Sequence, residues 1–296
     1  MARALDLVQV DVFTDRVFGG NPLAVFLDGR GLDDAEMQAI AREMNLSETT
    51  FVLPTTRPDC AARVRIFTPG REVPFAGHPT VGTTWVLATR GRLGSGRTAL
   101  EEGIGPVEVE LEGDRARPSF VWMRHRDAEF GPEIAARAGV AAALGLGEDD
   151  LRVGAPVRVG STGSPFLYVP LRDRDAVDRA ELDVAAMRRA AGDQLPGVFV
   201  FAAGKSAAYS RMFAPHTSRI PEDPATGSAS GPLGAYLVQH GLVPASGAIR
   251  LVSEQGTKMG RQSFVHIRLT ASARAVTDIA VGGSVVPVLE GRLTVP

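Results

Sequence analysis

Three short segments carry the polar residues whose types and spacing could do chemistry. In Asn45-Leu-Ser-Glu-Thr-Thr-Phe-Val52 a single carboxylate, Glu48, stands between the end of a helical pattern and a β-branched, aromatic run. A carboxylic acid at a strand edge, partly withdrawn from water, can take a proton from carbon and return it elsewhere. A fully solvated loop glutamate does nothing of the kind, and the residues themselves leave both open. In Phe75-Ala-Gly-His-Pro-Thr-Val-Gly82, Gly77 permits close backbone approach and Pro79 presets a first helical turn. His78 could carry a proton, donate to a ligand, or only orient its own loop. Ile220-Pro-Glu-Asp-Pro-Ala-Thr-Gly-Ser-Ala229 repeats the arrangement, with Asp223 and Thr226 in capping reach. The first N–H groups of a helix lack intrahelical acceptors and sit at the positive end of its dipole. A carboxylate or phosphate is their natural guest. Ordinary capping would also explain Asp223 and Thr226; the occurrence of two such loops favours a ligand.

Other chemistries are excluded by what the chain lacks. Cys60 is its one cysteine, so an intramolecular disulfide and any two-thiol mechanism are ruled out and a cytoplasmic setting is expected. Lying in a polar loop with no candidate base beside it, Cys60 reads as inert. His78, His125, His216, His240 and His266 show no metal-ligand spacing, so no metal is expected. Neither a dinucleotide fingerprint nor a P-loop is present. Ser228 follows Gly227 without the Gly-x-Ser-x-Gly elbow of a hydrolase. A net charge of −2, from 32 basic and 34 acidic residues, offers no surplus for nucleic acid. Asp6 and Asp11 within the first apolar stretch argue against a signal peptide. No apolar run approaches the ~18 residues of a membrane span. What remains is an enzyme without metal or thiol chemistry.

The elements that must position these residues alternate along the chain. Leu5–Phe13 and Leu23–Leu27 read as strands, Asp33/Asp34 open a helix over Ala35–Met44, and Thr49–Leu53 and Arg63–Thr68 are strands. Pro79–Thr89 reads as a buried helix, followed by strands at Val107–Leu111 and Phe120–Met123. The second half restarts with an Ala-rich helix over Pro132–Leu144 and strands at Arg152–Val159 and Phe166–Pro170. A helix over Val184–Ala190, strands at Gly197–Ala202 and Ala208–Pro215, and a helix at about Thr226–His240 follow. Strands at Ala248–Gln255, Ser263–Thr270 and Ser284–Val288 close the chain. The charged stretch Arg124–Glu129 is the expected junction between an N-terminal lobe, 1–125, and a C-terminal lobe, 126–282. The last strand, 283–296, is a candidate for completing the first lobe.

The halves echo one another. Arg65-Ile-Phe-Thr-Pro69 matches Arg211-Met-Phe-Ala-Pro215 at an offset of 146 residues, which without a gap sets Gly77–Thr80 on Asp223–Thr226 and Leu87 on Leu233. Gly20-Asn-Pro-Leu-Ala-Val-Phe26 resembles Gly163-Ser-Pro-Phe-Leu-Tyr-Val169. Two similar lobes with a pseudo-twofold relation are expected, with ligand in the cleft between them.

These motifs in this order resemble the PhzF-like phenazine biosynthesis family. The match runs through Val10-Asp-Val-Phe-Thr14, Gly20-Asn-Pro-Leu-Ala-Val25, Asn45-Leu-Ser-Glu-Thr49, Phe75-Ala-Gly-His-Pro-Thr80, Glu222-Asp-Pro-Ala-Thr-Gly-Ser-Ala229 and Glu254-Gln-Gly256. The resemblance implies an α+β, diaminopimelate epimerase-like fold: two lobes, each a strongly curved, barrel-like mixed β-sheet around a central helix. It implies a cofactor-independent isomerase, typically a homodimer. Its type reaction moves a proton on a dihydro-hydroxyanthranilate through the glutamate that Glu48 matches. It assigns catalytic roles to His78 and Asp223 as well, and substrate contacts to Gly77, Thr80, Thr226, Gly227 and Ser228. Related epimerases carry a cysteine in each lobe, where Gly77 and Asp223 are expected here. An amino-acid racemase or epimerase without cysteines, or a ligand-binding protein on the same fold, are the alternatives. The substrate, and the purpose of Glu254 and Arg261, stay open.

Overall fold

The structure is a computed structural model describing residues 3–295 apart from 94–96, 115, 216–220, 245 and 274. His216 and Ile220, singled out above, lie outside the described residues. In chain order the elements are β1 (Arg3–Val12), β2 (Asn21–Phe26), α1 (Asp34–Met44), β3 (Glu48–Leu53), β4 (Ala62–Phe67), β5 (Glu72–Val73), α2 (Gly77–Thr89), β6 (Thr98–Glu102), β7 (Gly105–Asp114), β8 (Arg117–Arg124), β9 (Glu129–Glu133), α3 (Arg137–Ala143), β10 (Arg158–Ser161), β11 (Pro165–Pro170), α4 (Arg174–Arg179), α5 (Val184–Ala191), β12 (Gly197–Ala203), β13 (Ala207–Phe213), β14 (Glu222–Asp223), α6 (Gly227–Gln239), β15 (Gly247–Gln255), β16 (Ser263–Ser272), β17 (Ala275–Gly283) and β18 (Val285–Val295). They fall into two compact units, Met1–Arg124 with Val281–Pro296, and His125–Ala280.

In the first unit β1 pairs antiparallel with both β18 and β2. β2 runs parallel to β3, a pairing that needs a crossover, and α1 supplies it. α1 starts where Asp33 and Glu36 form a reciprocal capping box and ends at Asn45, left-handed at φ 51°. Asparagine tolerates that conformation, and the turn delivers the chain to Glu48, the first residue of β3. Met37, Ile40 and Ala41 bury one face of α1 against Phe26, Phe51 and Phe67. β4 then pairs antiparallel with β3 and β5 and parallel with β6, which leads into the antiparallel run β6–β7–β8.

α2 reads Gly-His-Pro-Thr-Val-Gly-Thr-Thr-Trp-Val-Leu-Ala-Thr and is small or apolar on every side. A helix of that kind is stable only when enclosed, and α2 packs on β1, β2, β3, β8 and β18, so the sheet curves around it. The approach is close: a Cβ on Gly82 would lie 2.7 Å from Leu23 Cδ2 and 2.8 Å from Val12 Cγ2.

The second unit repeats the plan. β11 runs parallel to β12 with α4 and α5 as the crossover, β12 and β14 pair antiparallel with β13, β15 runs parallel to β13, and β16 returns antiparallel. α6, buried along almost its whole length, packs on β10, β11 and β16. A separate apolar core joins α3, α4 and α5 to the other face, with Val140, Leu144, Val177 and Met187 at its centre. The expected α+β class, with a curved mixed sheet around a central helix in each half, is what the chain adopts.

Several boundaries differ from expectation. Residues 129–133 form β9 where a helix from Pro132 was expected, and α3 begins only at Arg137. The first strand after it is Arg158–Ser161, not Arg152–Val159. β6, α4 and β17 were not anticipated. The ungapped offset of 146 also fails beyond β13. Phe67 pairs with Glu72, and Phe213 with Glu222, so Glu222 is the counterpart of Glu72. Four extra residues in the second loop move the helix start to Gly227, 150 residues after Gly77. Asp223 therefore corresponds to Val73 and not to Gly77, and Leu87 to Leu237 and not Leu233.

Candidate active site

The first unit brings Glu48 and His78 together. Leu23 of β2 pairs with Glu48, which sets the carboxyl at the head of a parallel strand pair, half-buried beside the start of α2. Its Oε2 lies 3.4 Å from His78 Nε2. The imidazole is buried, and its ring donates to the Pro22 carbonyl. That bond occupies Nδ1, since Nε2 faces Glu48. Burial pushes the His78 pKa down to about 3, partly opposed by the Pro22 bond. The ring is therefore neutral at physiological pH, with its Nε2 lone pair directed at a carboxyl oxygen. A protonated Glu48 could donate to that lone pair, whereas an ionised one would be repelled by it. Gly77 and His78 are also the first two residues of α2, whose cap, Ala76, offers no side-chain acceptor. Pro79 has no N–H, so the helix start presents two backbone donors, those of Gly77 and His78.

The second unit closes its polar groups on one another. Asp223, buried at the end of β14, accepts the Thr226 hydroxyl at 2.6 Å. The Gln255 side chain clamps the same turn: its Oε1 accepts the Thr226 N–H at 3.0 Å, and its Nε2 donates to the Asp223 carbonyl at 2.8 Å and to the Thr226 hydroxyl at 3.0 Å. Thr226 is the cap residue, but its own side chain makes no capping bond, and the acceptor for its N–H is Gln255. Because the Thr226 carbonyl takes the N–H groups of Ala229 and Ser230, Gly227 and Ser228 are left as the two donors at this helix start.

The Thr80 side chain is engaged within the first unit. Its hydroxyl, fully buried, lies 2.8 Å from the Ala76 carbonyl and 2.6 Å from Glu102 Oε1. Residues 254–256 had no assigned purpose in the sequence. Gln255 is now a builder of the second helix start, and Glu254 is structural, accepting from Arg174, Thr257 and Gln262. The signal for Gln255 was the Glu-Gln-Gly motif itself, whose partner in the first half is Glu101-Glu102-Gly103. The Cys60 thiol is pushed up by burial, as suits an inert residue. Among the described residues no three His, Cys, Asp or Glu side chains gather into a metal site, and no helix is long and apolar enough to cross a membrane.

The chain is similar to known proteins. Residues 10–291 match the model of the phenazine biosynthesis-like PhzC-PhzF family. An uncharacterised isomerase of Mesorhizobium japonicum is 38% identical over 96% of this chain and 96% of its own. The trans-2,3-dihydro-3-hydroxyanthranilate isomerase of Pseudomonas aeruginosa is 36% identical over 96% of this chain and 98% of its own. Among solved structures, a PhzF-family protein of Bacillus anthracis superposes with a TM-score of 0.85 at 28% identity, covering 98% of this chain and 99% of that one.

Proposed function

The chain belongs to the phenazine biosynthesis-like PhzC-PhzF family and is an isomerase of that kind, and we propose that it moves a proton within a small carboxylate-bearing substrate with Glu48 as the acid and base. The 3.4 Å contact between Glu48 and a His78 kept neutral by burial supports this reading above all else. Glu48 takes the proton as a C–H bond breaks. The electron pair shifts along the conjugated carbons, and Glu48, its acid proton having exchanged with solvent, returns a proton to a second carbon as the O–H bond breaks. No electrons enter or leave and no cofactor is called for. Between the two steps the Glu48 proton is held against His78 Nε2, where the lone pair steadies the neutral acid without removing its proton.

In this reading the N–H groups of Gly77 and His78 hold an oxygen of the substrate beside Glu48, and those of Gly227 and Ser228 offer a second anion seat. Asp223 is the second carboxylate of the proposed set. Its Oδ2 is taken by Thr226, so it acts by fixing the helix start that carries Gly227 and Ser228. Among candidate substrates, a dihydro-hydroxyanthranilate is the first to test, because a relative is named for that activity. A homodimer in the cytoplasm is part of the same reading, resting on the family resemblance and the lone cysteine; light scattering checks the dimer.

Proton NMR in deuterated water provides the direct test. Incubation with trans-2,3-dihydro-3-hydroxyanthranilate is expected to yield an isomer in which deuterium enters at one carbon, and Glu48→Gln is expected to abolish it while folding normally. Full turnover by the Gln variant would sink the proposal. Deuterium exchange with inversion at Cα of a free amino acid would replace it with a racemase.

A further inference from the structure

Strand register identifies a buried acid that the reaction above leaves unused. Arg63 pairs with Glu101 in the first unit, and Tyr209, its counterpart, pairs with Glu254 in the second. One residue on, Glu102 therefore stands where Gln255 stands. The glycines that follow agree: a Cβ on Gly103 would lie 2.7 Å from Pro74 Cα, and one on Gly256 would lie 2.6 Å from the carbonyl of Pro224, the counterpart of Pro74. Each unit thus sends a side chain from the end of one strand beneath the first turn of its central helix. In the second unit that side chain is an amide, and in the first it is a carboxyl.

The carboxyl is bound as a proton donor would be. Thr80 has one hydroxyl proton and two oxygen neighbours, the Ala76 carbonyl at 2.8 Å and Glu102 Oε1 at 2.6 Å. If the hydroxyl donates to Ala76, the short contact to Glu102 needs a proton on the carboxyl. The other oxygen, Oε2, is buried with no hydrogen-bond partner among the described residues, a place that an anionic oxygen would occupy only at high cost. Among the described residues no opposite charge compensates. Arg63 and Arg65 of β4, Glu101 of β6, and Glu108 and Glu110 of β7 all sit at positions alternate to the inward face of their strands. His78, the titratable group on α2 nearest in sequence to Thr80, is neutral. Burial accordingly raises the Glu102 pKa to about 8, with Thr80 opposing.

The Ala76 carbonyl and the Gly77 N–H belong to one peptide plane, so a hydrogen bond that fixes the oxygen also fixes the direction of the N–H. We propose that Glu102 is a positioning residue: a neutral carboxylic acid that donates through Thr80 to the Ala76 carbonyl and so aims the Gly77 N–H at the substrate. The use of that N–H rests on the function proposed above; the protonation and the relay do not.

Carbon-13 NMR of protein labelled at the glutamate side-chain carboxyl, with the Gly77 amide followed by nitrogen-15, tests both parts. One carboxyl signal, missing in E102Q, is expected to titrate near pH 8, and the Gly77 amide shift to move with the same midpoint. In E102Q and in T80V the Gly77 shift is expected to stay still across that range. With trans-2,3-dihydro-3-hydroxyanthranilate, E102L is expected to lower kcat/KM on the order of tenfold, mainly through KM, and E102Q to recover most of the loss. A carboxyl ionised from pH 5 upward, or a Gly77 amide that ignores its titration, would overturn the proposal. Should E102Q fail to fold, T80V and the wild-type titration still decide. If the wild type turns over no such substrate, the functional reading fails while the NMR result stands on its own.

Discussion

At the head of the strand that follows the crossover helix, one unit carries Glu48 and the other carries Gly197. The equivalence follows from register: Leu23 pairs with Glu48 beside Pro22, and Phe166 pairs with Gly197 beside Pro165. A side chain at Gly197 would meet the Phe166 ring within 2.9 Å, so the second unit fills with packing the space that the first reserves for a carboxyl. The next counterparts diverge similarly. His78 of one helix start corresponds to Ser228 of the other, and Glu102 to Gln255. One scaffold thus serves twice, once around groups that can exchange a proton and once around a turn in which Asp223, Thr226 and Gln255 bond one another. The repeated architecture supplies helix-start donors in both places, while the proton chemistry proposed for Glu48 draws on one.

The arginines that open the echoing motifs show the same divergence in stability, and here the largest effect is expected. Arg211 is buried, pairs with Glu222 at 2.9 Å, and donates to the carbonyls of Val177, Asp178 and Ala180 at the end of α4. Arg65 pairs with Glu72 and with the exposed Asp34 at the start of α1. Arg211→Ala strands a half-buried carboxylate and three carbonyls and is expected to cost about 3 kcal/mol. Arg65→Ala is expected to cost about 1 kcal/mol or less. Chemical denaturation of the two variants measures both, and equal losses would erase the distinction.

For activity, Glu48→Gln is expected to lower turnover by about 100-fold or more, the usual contribution of a general acid–base group. Asp223→Asn keeps an oxygen for the Thr226 hydroxyl, and a smaller loss, on the order of tenfold, is expected of a group that acts through the helix start. Single-turnover rates of the two variants compare the units directly. Losses of the same size would make Asp223 a second proton carrier and the site two-carboxylate.

Gln255 comes next. Gln255→Ala removes the acceptor of the buried Thr226 N–H and a donor to the Asp223 carbonyl, for an expected cost of about 2–3 kcal/mol and a rise in KM. A thermal melt together with a KM measurement checks it, and an unchanged KM would detach the amide clamp from substrate binding.

Much of this was legible in the residues. Asn45–Thr49 marked Glu48 because a helix stop, a lone carboxylate and an apolar strand follow one another in the sequence itself. Likewise Gly77 with Pro79, and Thr226 with Gly227, marked the two helix starts. The counterparts across the duplication were not legible, because four extra residues before β14 shift the register and an ungapped comparison sets Asp223 on Gly77. Glu102 was missed for a different reason. Its role depends on burial, and the neighbouring Glu101, bound to Thr55 and Thr56 at the surface, looks the same in sequence. The helix expected from Pro132 failed because an alanine-rich composition does not reveal that Glu129–Glu133 pairs with β10.

The smallest expected effect separates the acid under α2 from the amide under α6. Between the ordinary carboxyl value of 4.5 and about 8, folded Glu102 keeps a proton that the unfolded chain releases, so stability falls as pH rises through that window. His78, at about 3, and His125, at about 4, act oppositely: the folded rings stay neutral while the unfolded chain binds protons below 6.5, so stability falls as pH drops below that value. From pH 6.5 to 8, Glu102 alone of these three changes the balance. Wild type is therefore expected to lose about 1–2 kcal/mol relative to Glu102→Gln across that interval, as read by urea denaturation at the two pH values. Gln255 has no proton to give up, so Gln255→Glu is expected to create a similar decline in the second unit if its site is equally dry. A wild type whose stability tracks the Gln variant from pH 6.5 to 8 would mean that Glu102 is already ionised when folded. The two helix starts would then differ in the charge beneath them and not in how their first N–H is aimed.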